Sequence, residues 1–158
     1  MFGFELIVEV LKRGGQGAFF TLEYTQPEAL ARFERIGGDR RAMMQDFLLD
    51  TSDDVCADYI VKLLSEPGSD MIVVVDYLQL LDQRRHRPSL ESQVSTFKRF
   101  ARTTGVIIVI LSQVDRAFTL SGRAFPGLDD VRLPNPLNLG RFDKACFMNQ
   151  GKMQLVSL

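Results

Sequence analysis

A chain of 158 residues, with 46% hydrophobic and 25% charged residues and a formal net charge of −1, has the size and composition of one globular domain. These values exclude a fibrous or disordered chain, and any nucleic-acid partner must be attracted by local surface rather than by overall charge. Without an apolar run of the roughly 18 to 20 residues that span a membrane, and without a secretory leader, we expect a cytoplasmic protein with no membrane partner. Two distant cysteines and one histidine predict neither a disulfide framework nor a zinc site.

The first half of the chain alternates helix and strand signals. Apolar spacing predicts a helix that begins at the first residue and ends near residues 12–15, and residues 17–21 have the composition of a short buried strand. Thr25, followed by a proline and by Glu28, is the capping pattern of a second helix that ends near residues 37–38. Further predictions are a short helix over 39–45, a strand over 47–49 and a helix capped by Ser52.

The second half contains the two most apolar strands. Residues 71–76 are β-branched at most positions and end on Asp76, which predicts a fully buried strand of a parallel sheet. A charged loop over 82–88 precedes a helix capped by Ser89 and ended by Gly105, and residues 106–111 form the next strand. We expect a long functional or mobile loop over 115–143, then a closing pair of strands over 145–148 and 153–156.

Alternating strands and helices predict a mainly parallel sheet with helices on both faces, in one domain over residues 1–158. Three of its strands end on a polar residue, namely Glu23, Asp76 and Gln113. Ligands of such sheets bind at the carboxyl ends of the strands, so these side chains form a candidate site. An aspartate that holds magnesium through water, a glutamate that takes a proton from water and a glutamine near the terminal phosphate suit nucleotide hydrolysis. Each residue taken alone is also typical of a helix cap or a loop.

Four segments together resemble a known family, the DnaB-type replicative helicases. These segments are FFTLEYT, IVVVDYLQLL, VIIVILSQVDR and PGLDDVR, in that order. They are similar to the strand-end glutamate, the DYLQL Walker B segment, the SQ-x-x-R motif and the DLR loop of that family's RecA-like ATPase core. The resemblance covers nearly the whole chain and implies a P-loop NTPase fold that uses ATP and magnesium.

The resemblance also implies a role for each matching residue. Glu23 is the implied catalytic base, Asp76 the Walker B carboxylate that holds magnesium through water, and Gln113 the residue that couples nucleotide to DNA. Arg116 matches the arginine of SQ-x-x-R and is assigned to nucleotide coupling. Asp130 and Arg132 match the DLR loop, which implies contact with single-stranded DNA, although a solvated loop arginine is the other interpretation of Arg132. The full-length protein is then expected to form a homo-hexamer.

The sequence departs from the family pattern in its phosphate-binding segment. No G-x-x-x-x-G-K-[ST] motif occurs in the 158 residues, and the segment Gly14-Gly15-Gln16-Gly17 follows a helix instead of opening one. Absence of the Walker A strand would leave the strand over 106–111 with an open apolar edge. We therefore expect either a partial domain that belongs to a longer protein, or a sheet that is rearranged or completed by another chain. Little ATP hydrolysis is expected from this chain alone. The family's Lys-x-Arg finger pair is also absent, and LPNPLNLGRFDKA stands where SG-x-x-x-Q-D-A-D is expected.

Two other functions stay open. The first is a non-catalytic RecA-like protein that uses the same scaffold for binding or ring assembly. The second is a recombinase or clock-type RecA-fold ATPase, which the DYLQL segment and the DVR loop disfavour.

Overall fold

The computed structural model describes residues 2–39, 45–68, 70–82, 87–133 and 135–158. The helix predicted over 39–45 lies almost entirely outside these ranges, as does most of the charged loop over 82–88. In chain order the elements are α1 (Phe2–Lys12), β1 (Gln16–Thr21), α2 (Gln26–Arg35), β2 (Phe47–Asp50), α3 (Ala57–Leu63), β3 (Met71–Asp76), α4 (Leu90–Thr104), β4 (Ile107–Ile110), α5 (Arg116–Leu120), β5 (Lys144–Asn149) and β6 (Lys152–Ser157). Short 3₁₀ helices lie at Leu78–Asp82, Leu128–Asp130 and Leu139–Arg141.

The predicted parallel sheet is confirmed. Its strand order is β2-β1-β3-β4, and all three pairings are parallel. Every residue of β3 is buried, as the β-branched composition of this strand predicts for the interior of a sheet covered on both faces. Strands β5 and β6 form a separate antiparallel hairpin that turns at Gln150 and Gly151.

Helices cover both faces of the sheet, also as predicted. On one face the first two helices pack against β1 and β3, and the rings of Phe4 and Phe19 stack with their centroids 4.0 Å apart. On the other face α3 and α4 bury a larger apolar cluster against the alternate residues of the same strands. A Cβ added at Gly3 would lie only 2.8 Å from the Phe19 ring, so α1 depends on glycine there to approach the sheet closely.

Local capping signals set several helix ends. The Glu28 carboxylate accepts hydrogen bonds from the backbone N–H and the hydroxyl of Thr25, at the start of α2. Ser89 accepts from the Ser92 N–H at the start of α4, and Gly105 ends that helix with a φ of 79°. These three predictions are confirmed.

Ser52 is not a helix cap, and that prediction is wrong. Its N–H donates to the Asp50 carboxylate at 2.7 Å, which forms a turn after β2, and α3 begins only at Ala57. Arg87, at the end of the charged loop over 82–88, has a side chain that is only 7% exposed and that donates to the carbonyl oxygens of Asp53 and Val55. The predicted loop over 115–143 contains the short helix α5 and two of the 3₁₀ turns.

Strand β4 lies at one edge of the sheet, and no described strand pairs with its outer side. Ile107 at its start is 63% exposed. The open edge predicted for this strand is therefore present in the described residues. Within the described parts of the chain, none of the helices has the length and hydrophobicity of a transmembrane segment.

Gln93 is a buried polar residue that joins three segments on the α3/α4 face. Its carbonyl oxygen accepts from the Ala57 N–H at 3.1 Å, and its amide nitrogen donates to the Leu81 and Pro88 carbonyls at 2.6 and 2.9 Å. It is 1% exposed. The side chain therefore links the start of α3 to the segments before α4.

We expect Gln93→Leu to lower the free energy of unfolding by about 3 kcal/mol, because it leaves buried backbone groups without partners. Urea unfolding followed by circular dichroism measures the change. Gln26→Leu, the same substitution at an exposed helical glutamine, is the control and should change stability by less than about 0.5 kcal/mol. Equal effects of the two substitutions would contradict the linking role of Gln93.

Candidate functional site

The parallel pairing of β1 with β3 brings two carboxylates to the same end of the sheet. Thr21 is the register partner of Asp76, and Glu23 follows Thr21 just beyond the strand. Thr21 is fully buried, and its hydroxyl accepts a hydrogen bond from the Glu23 N–H at 3.1 Å. This bond fixes the backbone of the turn after β1, and the side chain of Glu23 is exposed.

Asp76 is the buried member of the pair. It is 9% exposed, and burial raises the pKa of its carboxyl to about 6, with a further contribution from the negative charge of Glu23. The Asp76 carboxylate is desolvated and lies near a second carboxylate, so a bound cation would reduce the electrostatic repulsion between the two. The prediction that Glu23 and Asp76 lie together is therefore supported by their electrostatic interaction.

Tyr24 is a third member of this site that the motif comparison did not single out. The pKa of its hydroxyl is raised, first by burial and then by the charge of Asp76. Its ring also lies under the Arg32 guanidinium, 4.3 Å from the ring centroid. The sequence points to Tyr24 only through its position beside Glu23 at the end of a strand. Its proximity to Asp76 follows from the register of the sheet.

Gln113 lies beyond the end of β4 and contacts a different partner. Its backbone carbonyl accepts from the Arg132 N–H at 2.9 Å, and its side-chain oxygen lies 3.4 Å from Arg132 Nη1. Two residues along, the Asp115 N–H donates to the Asp130 carbonyl at 2.7 Å. The chain just beyond β4 is thus joined to Asp130–Arg132, called the DVR segment below, by a short antiparallel ladder. This ladder also includes a bridge between Val114 and Val131.

The carboxylate of Asp130 accepts hydrogen bonds from other residues of the long loop over 115–143. It accepts from Arg123 Nη2 at 2.5 Å and from the Gly127 N–H at 2.7 Å. The Gly127 hydrogen bond, followed by that of Arg123, lowers the pKa of Asp130. Arg132 and Arg116 are exposed, and Arg116 begins α5 just after its cap, Asp115.

The site offers few protein ligands to a metal. Among the described residues, no three histidine, cysteine, aspartate or glutamate side chains are grouped closely enough to hold an ion by themselves. Magnesium is usually held through one or two carboxylates together with water and substrate phosphates. The buried Asp76 with Glu23 beside it fits that limited contribution, and the remaining ligands would have to be water and phosphate.

The parallel sheet with helices on both faces is an α/β fold, and its likeness to solved structures shows that the fold is RecA-like. Two solved structures share the fold: a DnaB-like replicative helicase, described with its interactions with primase, at 21% identity, and an ATPase domain of a second protein, at 20%. Both have a TM-score of 0.63 over 83% of this chain, which spans 39% of the first structure and 58% of the second. No curated protein sequence gave a significant match.

The particular family follows from a sequence comparison. The model of the DnaB-like helicase C-terminal domain matches residues 44–135, more than half of the chain. The chain belongs to this family, which confirms the resemblance found in its motifs.

The raised pKa of Asp76 predicts a pH dependence of stability. Because the folded-state pKa lies above the value of 3.8 for a free carboxyl, the protonated form favours folding. This contribution is complete below about pH 4 and is lost as the pH rises through about 6. Asp76→Asn, which is never charged, should therefore be more stable than the parent chain at pH 7.5, and the difference should shrink toward pH 4.

Urea unfolding at several pH values between 4 and 7.5 measures this difference. Asp46→Asn, at an exposed turn, is the matched control and should follow the parent chain. A stability difference between Asp76→Asn and the parent chain that stays constant over this range would contradict the burial of an ionisable Asp76.

Proposed function

We propose that this chain is part of an ATPase module that couples ATP hydrolysis to movement along single-stranded DNA, as its family membership implies. The observation that carries the proposal is that Glu23 and Asp76 interact electrostatically at the carboxyl edge of the sheet. Family membership, through a match over residues 44–135 that includes Asp76 but not Glu23, supports the same function.

Asp76 is proposed to hold magnesium through a water molecule. Its burial keeps the carboxylate in a low-dielectric position, where a cation interacts more strongly than at the surface. Bound magnesium would supply charge neutralisation for the phosphates of ATP. A cation would also lower the pKa of Asp76 and so keep it ionised at neutral pH.

Glu23 is proposed to be the general base. It differs from Asp76 in being exposed at the end of β1, so it can reach a water molecule in the open part of the site. The Thr21 hydroxyl holds the backbone of Glu23, which restricts where the carboxylate can lie. Tyr24, whose pKa is raised by burial and by the charge of Asp76, is proposed to limit access of bulk water to that carboxylate.

The contacts of Gln113 support a coupling role. This residue lies beyond the strand that neighbours β3 and is bonded through its backbone to Arg132. A shift at the nucleotide end of β4 would therefore be transmitted to the DVR segment. Arg132 is proposed to contact the DNA backbone and Arg116 to serve nucleotide coupling, whereas Asp130 is proposed to act by shaping the loop.

The assembly state and the DNA partner are likewise proposals, since the chain spans only 39% and 58% of the two similar structures. A homo-hexamer of the full-length protein is the arrangement expected from the family. A non-catalytic RecA-like protein for binding or ring assembly is the second candidate. It is favoured by one specific observation, the absence of a G-x-x-x-x-G-K-[ST] segment from these 158 residues.

Removal of either carboxylate should stop ATP hydrolysis in a version of the chain to which a phosphate-loop segment has been joined. We expect Glu23→Gln to lower kcat by about 10²- to 10⁴-fold without preventing ATP binding, because it removes the base. Asp76→Asn should weaken magnesium-dependent ATP binding as well. Steady-state hydrolysis and binding of a fluorescent ATP analogue measure the two effects.

The control for this experiment is Asp46→Asn, which should retain full turnover. Turnover retained in both Glu23→Gln and Asp76→Asn would reject the site assignment. The 158-residue chain, assayed without any addition, separates the two candidate functions: hydrolysis at the level of a complete helicase would contradict both the non-catalytic alternative and the importance assigned to the phosphate loop.

Arg132→Ala should weaken binding of a fluorescent oligo-dT and reduce the slope of log affinity against log salt by about 0.7 to 1, because one phosphate contact is lost. Arg102→Ala, which removes the same charge as Arg132→Ala, is the control. Arg102 is exposed in the last turn of α4, which leads into the amino-terminal end of β4, so it lies at the opposite edge of the sheet. An unchanged salt slope in Arg132→Ala would make Arg132 a solvated loop residue.

A further inference from the structure

Gln79 lies where three segments of the candidate site meet. It belongs to the 3₁₀ helix Leu78–Asp82, which directly follows β3 and Asp76. Its side-chain nitrogen, Nε2, donates to the Ser112 hydroxyl at 3.1 Å and to the backbone carbonyl of Arg132. One amide group therefore joins the strand that carries Asp76 to the end of β4 and to the DVR segment.

The orientation of this amide is fixed by its partners. A backbone carbonyl only accepts hydrogen bonds, so the atom facing Arg132 O must be the NH₂ group and not the oxygen. The Gln79 oxygen, Oε1, is buried and has no hydrogen-bond partner in the described part of the chain. An unpaired buried acceptor costs free energy, and the neighbouring Leu78 and Leu81 are 2% and 0% exposed. The residue as a whole is half-buried, and its amide keeps the two donated hydrogen bonds although its oxygen has no partner among the described residues.

The backbone carbonyl that accepts from Gln79 belongs to Arg132, the residue proposed to contact DNA. Arg132 is held through its N–H by Gln113, and through its carbonyl by Gln79. Its backbone is thus bonded on one side to the extension of β4 and on the other to the extension of β3. The guanidinium remains exposed, with Nη1 3.4 Å from the side-chain oxygen of Gln113.

We propose that Gln79 is a positioning residue that ties the backbone of Arg132 to the strand that carries Asp76. The tie links the position of the strand end that carries Asp76 to the position of the DVR segment. Its existence follows from the hydrogen bonds, whereas its purpose, the presentation of Arg132 to single-stranded DNA, rests on the function proposed above.

Hydrogen exchange of the 158-residue chain tests the tie without reference to any activity. Gln79→Glu has the same shape but, when ionised, places a carboxylate against the Arg132 carbonyl. At pH 7.5 we expect the protection factors of the Asp115 and Arg132 amides to fall about tenfold, the ratio that corresponds to one lost hydrogen bond. Amides within β1 and β3 should keep their protection.

Acidification distinguishes positioning from packing. At pH 4.5 a protonated glutamate can again donate to Arg132 O, so protection at Asp115 and Arg132 should return toward that of the parent chain at the same pH. A residue that acts by shape alone would give no difference between the two pH values. Gln154→Glu, the same change at an exposed position of β6, is the control and should leave protection unchanged at both.

Unchanged protection of Asp115 and Arg132 in Gln79→Glu at pH 7.5 would overturn the proposal, and so would a loss of protection that pH 4.5 does not reverse. If Gln79→Glu does not fold, Ser112→Ala replaces it, because it removes the other partner of the amide. A loss of protection confined to the same two amides then supports the tie, and a loss spread over the sheet or no loss overturns it.

Binding of fluorescent oligo-dT separates this proposal from the proposed function. If Gln79→Glu weakens binding at pH 7.5 more than Gln154→Glu does, the tie serves DNA contact. If the exchange result is as expected but the parent chain itself does not bind oligo-dT, the tie stands and the DNA function fails.

Discussion

The parallel pairing of β1 with β3 is the constraint on which the rest of the structure depends. The two strands pair over six residues, from Gln16 opposite Met71 to Thr21 opposite Asp76. Both are interior strands, and the helices on either face bury their side chains in two separate clusters. A slip of one residue would turn every side chain of β3 to the opposite face and would carry Asp76 away from Glu23. The core and the site are therefore specified by the same register.

The two carboxylates at this strand end have different surroundings, and the difference comes from the fold. Asp76 is the last residue of a fully buried strand, so desolvation raises its pKa toward neutrality. Glu23 lies just beyond the end of its strand and remains exposed. Two acidic groups whose environments differ in this way are suited to separate tasks, one holding a cation and the other moving a proton.

Local chemistry explains which features could be predicted from the sequence. Thr25, Ser89 and Gly105 act within a few residues of themselves, so the helix ends that they set were recognisable. The prediction that Ser52 caps a helix was wrong because its N–H donates to the Asp50 carboxylate, which also accepts from the Tyr59 hydroxyl at 2.6 Å. The bonds among Gln79, Gln113 and Arg132 join residues between 19 and 53 positions apart, and no local pattern encodes them.

The ladder at the base of the long loop makes the segment between its two ends a separable part of the chain. Hydrogen bonds from Asp115 to Asp130 and from Arg132 to Gln113 hold the ends together, while α5 contributes no buried residue. Closing a longer loop costs only about 0.6 kcal/mol for each doubling of its length. Insertions after Leu120, which is 89% exposed at the end of α5, would therefore leave the sheet almost equally stable, so this loop can lengthen during evolution while the strand ends that carry Glu23 and Asp76 stay fixed.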